Sequence, residues 1–149
     1  MAAHLRTQIR QAIHEIVLGL PSVGQNVFLS RRVPLAEEHI PAICIYTLSE
    51  ESGPDTMGGS RRMRRILDVG VECLTFDTDA LDDELDQMAY EVEEAIATDY
   101  TLGGLVYDTI ITNTRVVLQP TRAGERPIGA ALLAFRVTYR ASFDDPSIN

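Results

Sequence analysis

The chain contains no lysine and no tryptophan, only two cysteines, and just 6% aromatic residues. Each scarcity excludes something. With so few aromatics, the core of this 149-residue chain has to be aliphatic, drawn from Ile, Leu, Val and Ala. Two cysteines do not make a disulfide scaffold. Cys44 and Cys73 each lie in an apolar, strand-like run, so they read as buried free thiols unless the strands bring them together. No apolar run approaches the roughly 18 residues of a membrane span, and the N-terminus lacks a charged-apolar-small export pattern. The missing lysine leaves all 13 cations as arginine, a planar fork suited to paired carboxylates.

Those cations are outnumbered by 22 acidic residues, giving a formal net charge of −9. A pI near 4.7 argues against a protein whose whole surface binds nucleic acid, because that footprint is basic. The charge is also segregated. Acidic residues concentrate between 77 and 99, while GGSRRMRR (58–65) packs Arg61, Arg62, Arg64 and Arg65 together.

Periodicity gives the elements. Residues 3–18 carry Leu5, Ile9, Ala12, Ile13, Ile16 and Val17 on one helical stripe, with Gly19 and Pro21 as a stop. NVFLSRRV (26–33) and PAICIYTLS (41–49) read as strands, the second with apolar residues on both faces. SEESGPDTMGGS has no period and three glycines, so a long flexible loop is expected at about 49–64. RRILDVGVECLTF (64–76) is a further strand, with Leu67, Val69, Val71 and Cys73 on one face. Thr78 or Asp79 is expected to cap a second helix whose buried stripe is Leu81, Leu85, Met88, Ala89, Val92 and Ile96. Two long strands follow, roughly 105–119 and 128–143, joined by the hairpin tip PTRAGERP. The expectation for residues 1–149 is one α+β domain of order α-β-β-loop-β-α-β-β, its sheet mostly antiparallel and its two helices on one face.

Signs of chemistry are few. His14-Glu15 lacks the second histidine of a zinc-protease helix, since position 18 is Leu18. Asp77, Asp79, Asp82 and Asp83 lack the ligand register of a calcium loop, and an acidic helix start accounts for them. Ser22, Ser30 and Ser60 lack a nucleophile turn, and neither cysteine has a nearby histidine in a helix-terminal context. The sequence therefore points to no enzyme, no metal and no cofactor, and attention moves to surfaces. Three are candidates for assembly contacts: Arg61, Arg62, Arg64 and Arg65; the acidic helix face with Asp82, Asp83, Glu84 and Asp86; and the tip with Arg122, Glu125 and Arg126. Complementary patches on one small domain suit a head-to-tail ring.

Element order, size and loop placement resemble the tail-terminator family of long-tailed bacteriophages, also described as minor tail protein U-like or tail completion proteins. The resemblance is carried by LRTQIRQAIHEIVLGL, AICIYTLSEES, the Gly-rich stretch, RRILDVGVECLTF, LDDELDQMAYEVEEAI and the strands ending FRVTYRAS, which together span nearly the whole chain. It implies a non-enzymatic virion component, assembled in the host bacterial cytoplasm and resident in the tail. In this family a hexameric ring caps the head-proximal end of the tail tube, stops tube polymerisation and offers the head-tail joining surface. The implied partners are further copies of the chain, the tube protein and neck proteins, with no membrane, and DNA passing through without specific binding. The loop at 49–64 maps to an assembly surface. Two alternatives stay open: a neck or head-completion protein of related fold, and a nucleic-acid-binding accessory protein using Arg61, Arg62, Arg64 and Arg65, with Arg31 and Arg32 as further candidates.

Overall fold

The structure is a computed structural model that describes residues 2–29, 37–119, 124 and 126–149. The N-terminal stripe folds as α1 (Leu5–Val17), whose Leu5, Ile9, Ile13 and Val17 are buried. The His4 side chain accepts from the Arg6 amide at 3.0 Å and caps the helix. Burial, and then the Arg6 charge, hold His4 below the usual histidine range, which favours the neutral acceptor form that this bond needs. Gly19 stops the helix as expected, at φ +87°, a region that favours glycine.

Five strands form one sheet: β1 (Val27–Phe28), β2 (Ala42–Pro54), β3 (Arg62–Phe76), β4 (Asp108–Gln119) and β5 (Ile128–Ser142). Their order is β1-β2-β3-β5-β4. Every pairing is antiparallel except β1 with β2. A 3₁₀ turn, Glu37–His39, precedes β2, and α2 (Leu81–Thr98) joins β3 to β4. The α+β class and the two-helix, mostly antiparallel arrangement read from the sequence are those observed.

Both helices lie on one face, α1 over β1 and β2, and α2 over β3, β5 and β4. Beneath them the alternating residues Ile43 and Ile45, then Leu67, Val69, Val71 and Cys73, then Leu133, Phe135, Val137 and Tyr139 form the main core. A smaller cluster of Ile40, Ala42, Cys44, Leu74 and Ala130 lies on the opposite face, so β2 is covered on both sides there. Cys44 and Cys73 sit one register position apart, on facing strands, but in different clusters. Both are free.

Three expectations need correction. The loop expected at 49–64 is mostly strand: β2 pairs with β3 as far as Pro54 opposite Met63, leaving only 55–61 as a connection. Weak intrinsic β-propensity in SEESGP is overridden by a partner strand that is itself fully paired to β5. The strand expected over 26–33 is seen at Val27–Phe28, and residues 30–33 lie outside the described residues. Finally, α2 has Ala80 at its N-cap, with no side-chain cap bond among the described residues. Thr78 accepts instead from the Ala80 amide, at 3.3 Å.

Candidate functional site

The four arginines near the hairpin divide by strand alternation. Arg65 points toward the helix-bearing face and is largely buried, whereas Arg61, Arg62 and Arg64 are exposed. Arg65 donates to Glu50 at 3.1 Å, and the same carboxylate accepts from Arg6 and from the Tyr139 hydroxyl. Glu50 is only 9% exposed, so its charge is compensated inside the fold rather than by water. Burial, and then the adjacent carboxylate, push the Tyr139 phenol well above its usual range, so it stays a donor at neutral pH. Arg65 Nε is buried without a partner. Arg65 is thus a structural cation, and only its three neighbours present a surface.

Those neighbours gather at one end of the sheet. Arg61 lies over the Phe143 ring at 5.3 Å, and the Phe143 amide donates to the Arg61 carbonyl at 2.9 Å. Arg140, directly opposite Arg64 in the sheet, is ion-paired with Asp55 and sits 5.9 Å from the Tyr107 ring. Arg62, Tyr107, Arg140 and Asn149 line a cleft of about 210 Å³. At the tip, the Asp55 amide donates to the Arg62 carbonyl, and Thr56 Oγ1 accepts from the Arg62 amide, both at 2.8 Å. These bonds leave Met57 87% exposed. The end therefore combines arginine, exposed aromatic rings and an exposed methionine, a composition enriched at protein interfaces. In sequence the arginines have no interleaved aromatics; the fold supplies them from Tyr107 and Phe143.

The acidic residues of α2 also divide by helical spacing. Glu91 turns toward the α1 side, where it accepts from Ser22 N at 2.9 Å and from Ser22 Oγ. Burial alone raises this carboxyl, but the Ser22 bonds and Gln87 outweigh it and bring Glu91 below the usual range. Glu84 reaches Thr75 at 3.3 Å on the same flank. Asp82, Asp83 and Asp86 are exposed. Counting 100° per residue, Asp82, Asp86 and Glu93 fall on the flank opposite Glu84, Gln87 and Glu91, turned away from α1. Arg126 stacks 3.7 Å from the Phe76 ring. Arg122 and Glu125 lie outside the described residues.

Among the described residues, no three of His, Cys, Asp and Glu gather to hold a metal ion, and no helix is long and apolar enough to cross a membrane. Burial, and then the Glu72 carboxylate, push both thiols up to about 12. Iodoacetamide at mildly alkaline pH is therefore expected to label neither cysteine in the folded protein and both after denaturation. Labelling of either in the native state would contradict this packing.

The sequence reading missed Glu50, Tyr139, Tyr107 and Phe143, because Glu50, Tyr139 and Phe143 acquire partners across 40 or more positions, and Tyr107 meets an arginine of the adjacent strand. Compared with known proteins, the chain matches no family model, and no curated protein matches it. Among solved structures it is similar to a chain in the virion of a native gene transfer agent particle. The TM-score is 0.38 and the identity 12%, over 93% of this chain and 92% of that one.

Proposed function

We propose that this chain is a structural protein of a phage-like virion, a tail terminator that forms a ring on the head-proximal end of the tail tube. It acts by capping, not by catalysis: the ring stops tube polymerisation and presents the joining surface for the head. The resemblance of the whole element order to that family supports the reading. The observation that carries it is the end of the sheet where Met57, Phe143 and Tyr107 stand exposed among Arg61, Arg62 and Arg64. Exposed apolar side chains beside unburied guanidinium groups suit a protein partner with carboxylates at its rim.

The test is the triple variant R61S/R62S/R64S, compared with the wild type in the presence of the cognate tube protein. Wild-type protein is expected to bind tube ends and limit tube length. The variant should bind about tenfold or more weakly, with a melting temperature within about 2 °C of wild type, since exposed substitutions cost little. Wild-type protein that stays monomeric with tube protein, and leaves tube length unregulated, would refute the reading.

A second reading is favoured by one observation. Arg61 on Phe143 and Arg140 beside Tyr107 pair cations with exposed rings, a combination that also stacks and neutralises single-stranded nucleic acid. Filter binding of a single-stranded oligonucleotide at low salt discriminates. Retention that falls steeply with salt supports nucleic-acid binding, and no retention removes it.

A further inference from the structure

Among the described residues, the strand order leaves the sheet with two margins, β4 on one side and β1 with the far part of β2 on the other. Every β4 residue from Thr112 to Leu118 is exposed. Two of them, Val116 and Leu118, share the helix-bearing face with Ala131 and Leu133 yet are 52% and 64% exposed. Long exposed apolar edge strands are ordinarily blunted or covered, since they offer unpaired backbone groups to another strand.

The other margin is its electrostatic complement. Arg6, Arg10 and His14 lie on the side of α1 turned to that margin, where they reach Glu50, Thr47 and the Val27 carbonyl. The flank of α2 turned to β4 carries Asp82, Asp86 and Glu93. Both flanks rise from the same face of the sheet. Geometry adds a third match. Val27, Ile43, Cys73, Ala131 and Val116 form one row across all five strands, so the β1 and β4 margins stand at the same level. Strand directions make β4 antiparallel to β1, and Leu29 at the β1 margin is 45% exposed.

We infer that a second copy of this chain docks head-to-tail along these margins, β4 of one beside β1 of the next. In this arrangement the acidic flank of α2 faces the basic flank of the neighbour's α1. A β4-to-β4 pairing would instead set two acidic flanks against each other in a chain of net charge −9. The level match means that a neighbour needs rotation without a rise, the condition for a ring to close rather than a filament to grow. This inference rests on the ring reading for its setting, but it names the lateral contact, which lies away from the hairpin end.

The experiment uses the full chain in two forms. L29C/T114C places one thiol on each margin, each two residues from Val27 or Val116 in the same direction and so level with the other, while Cys44 and Cys73 are buried. Mild oxidation should give a disulfide-linked ladder that ends at a closed ring, with none from wild type. Separately, D86R/E93R should weaken self-association about tenfold or more by light scattering, R10E should weaken it as well, and the three changes together should restore it. Thermal melts of all variants verify that each is folded. An oligomeric wild type with no ladder and no response to charge reversal would overturn this interface and leave the ring reading standing. A wild type that stays monomeric both alone and with tube protein would overturn both.

Discussion

Glu50→Ala is expected to lower stability by about 3–5 kcal/mol, the cost of leaving a buried charge unpaired. Three donors converge on this one carboxylate, from Arg6 in α1, Arg65 in β3 and Tyr139 in β5. The alanine variant strands the Arg65 guanidinium, already short of a partner at Nε, beneath α1. In a chain of this size that corresponds to a fall in melting temperature of roughly 10 °C or more. The double variant E50L/R65M should recover most of the loss, because exchanging a buried ion pair for apolar side chains of similar volume is often near neutral. If E50A melts within about 2 °C of wild type, the carboxylate is solvated and the cluster does not hold α1 to the sheet. The same logic separates the arginines. Arg65→Ser should destabilise the monomer, whereas serine at Arg61, Arg62 and Arg64 should not, so a fourfold change would confuse unfolding with lost assembly.

Leu133→Ala is expected to cost about 2–5 kcal/mol, and its neighbour Leu132→Ala about 1 kcal/mol. Leu133 is fully buried under the helices, in the cluster with Phe135 and Val71. Leu132 points to the other face and is half-buried, its Cδ1 filling the space a side chain at Gly70 would occupy. The cavity left by Leu133 is closed in by α2 and cannot collapse easily, whereas solvent can reach the position of Leu132. Chemical denaturation of both variants checks the contrast. Equal losses would mean that the two faces of β5 are equally enclosed.

The pattern Ala131, Leu133, Phe135, Val137, Tyr139 was legible because a strand shows its faces at every second residue. The stripe of α2 was legible for the matching reason at a period of 3.6. What the sequence could not show was pairing across distance. Ser49 to Pro54 carry weak strand signals, and only the fully paired β3 beside them makes them extend. Glu50 sat within an apparent loop, so nothing local marked it as the acceptor for residues 44 and 89 positions away. Charge was read correctly by sign but not by direction. Arg65 and Arg64 are adjacent in sequence, yet one is largely enclosed beside Glu50 and the other exposed. Likewise, the acidic residues of α2 divide between a flank bonded to Ser22 and one facing the sheet margin.

Cys44 and Cys73 have a practical consequence. Neighbours in register but sealed under different layers, they act as two independent reporters of local opening. An excursion that lifts α2 off the sheet uncovers Cys73 and leaves Cys44 protected. One that peels away Phe28 and Ile40 uncovers Cys44 alone. Pulsed alkylation with mass readout at each cysteine would therefore resolve which layer breathes first, without introducing any probe into the chain.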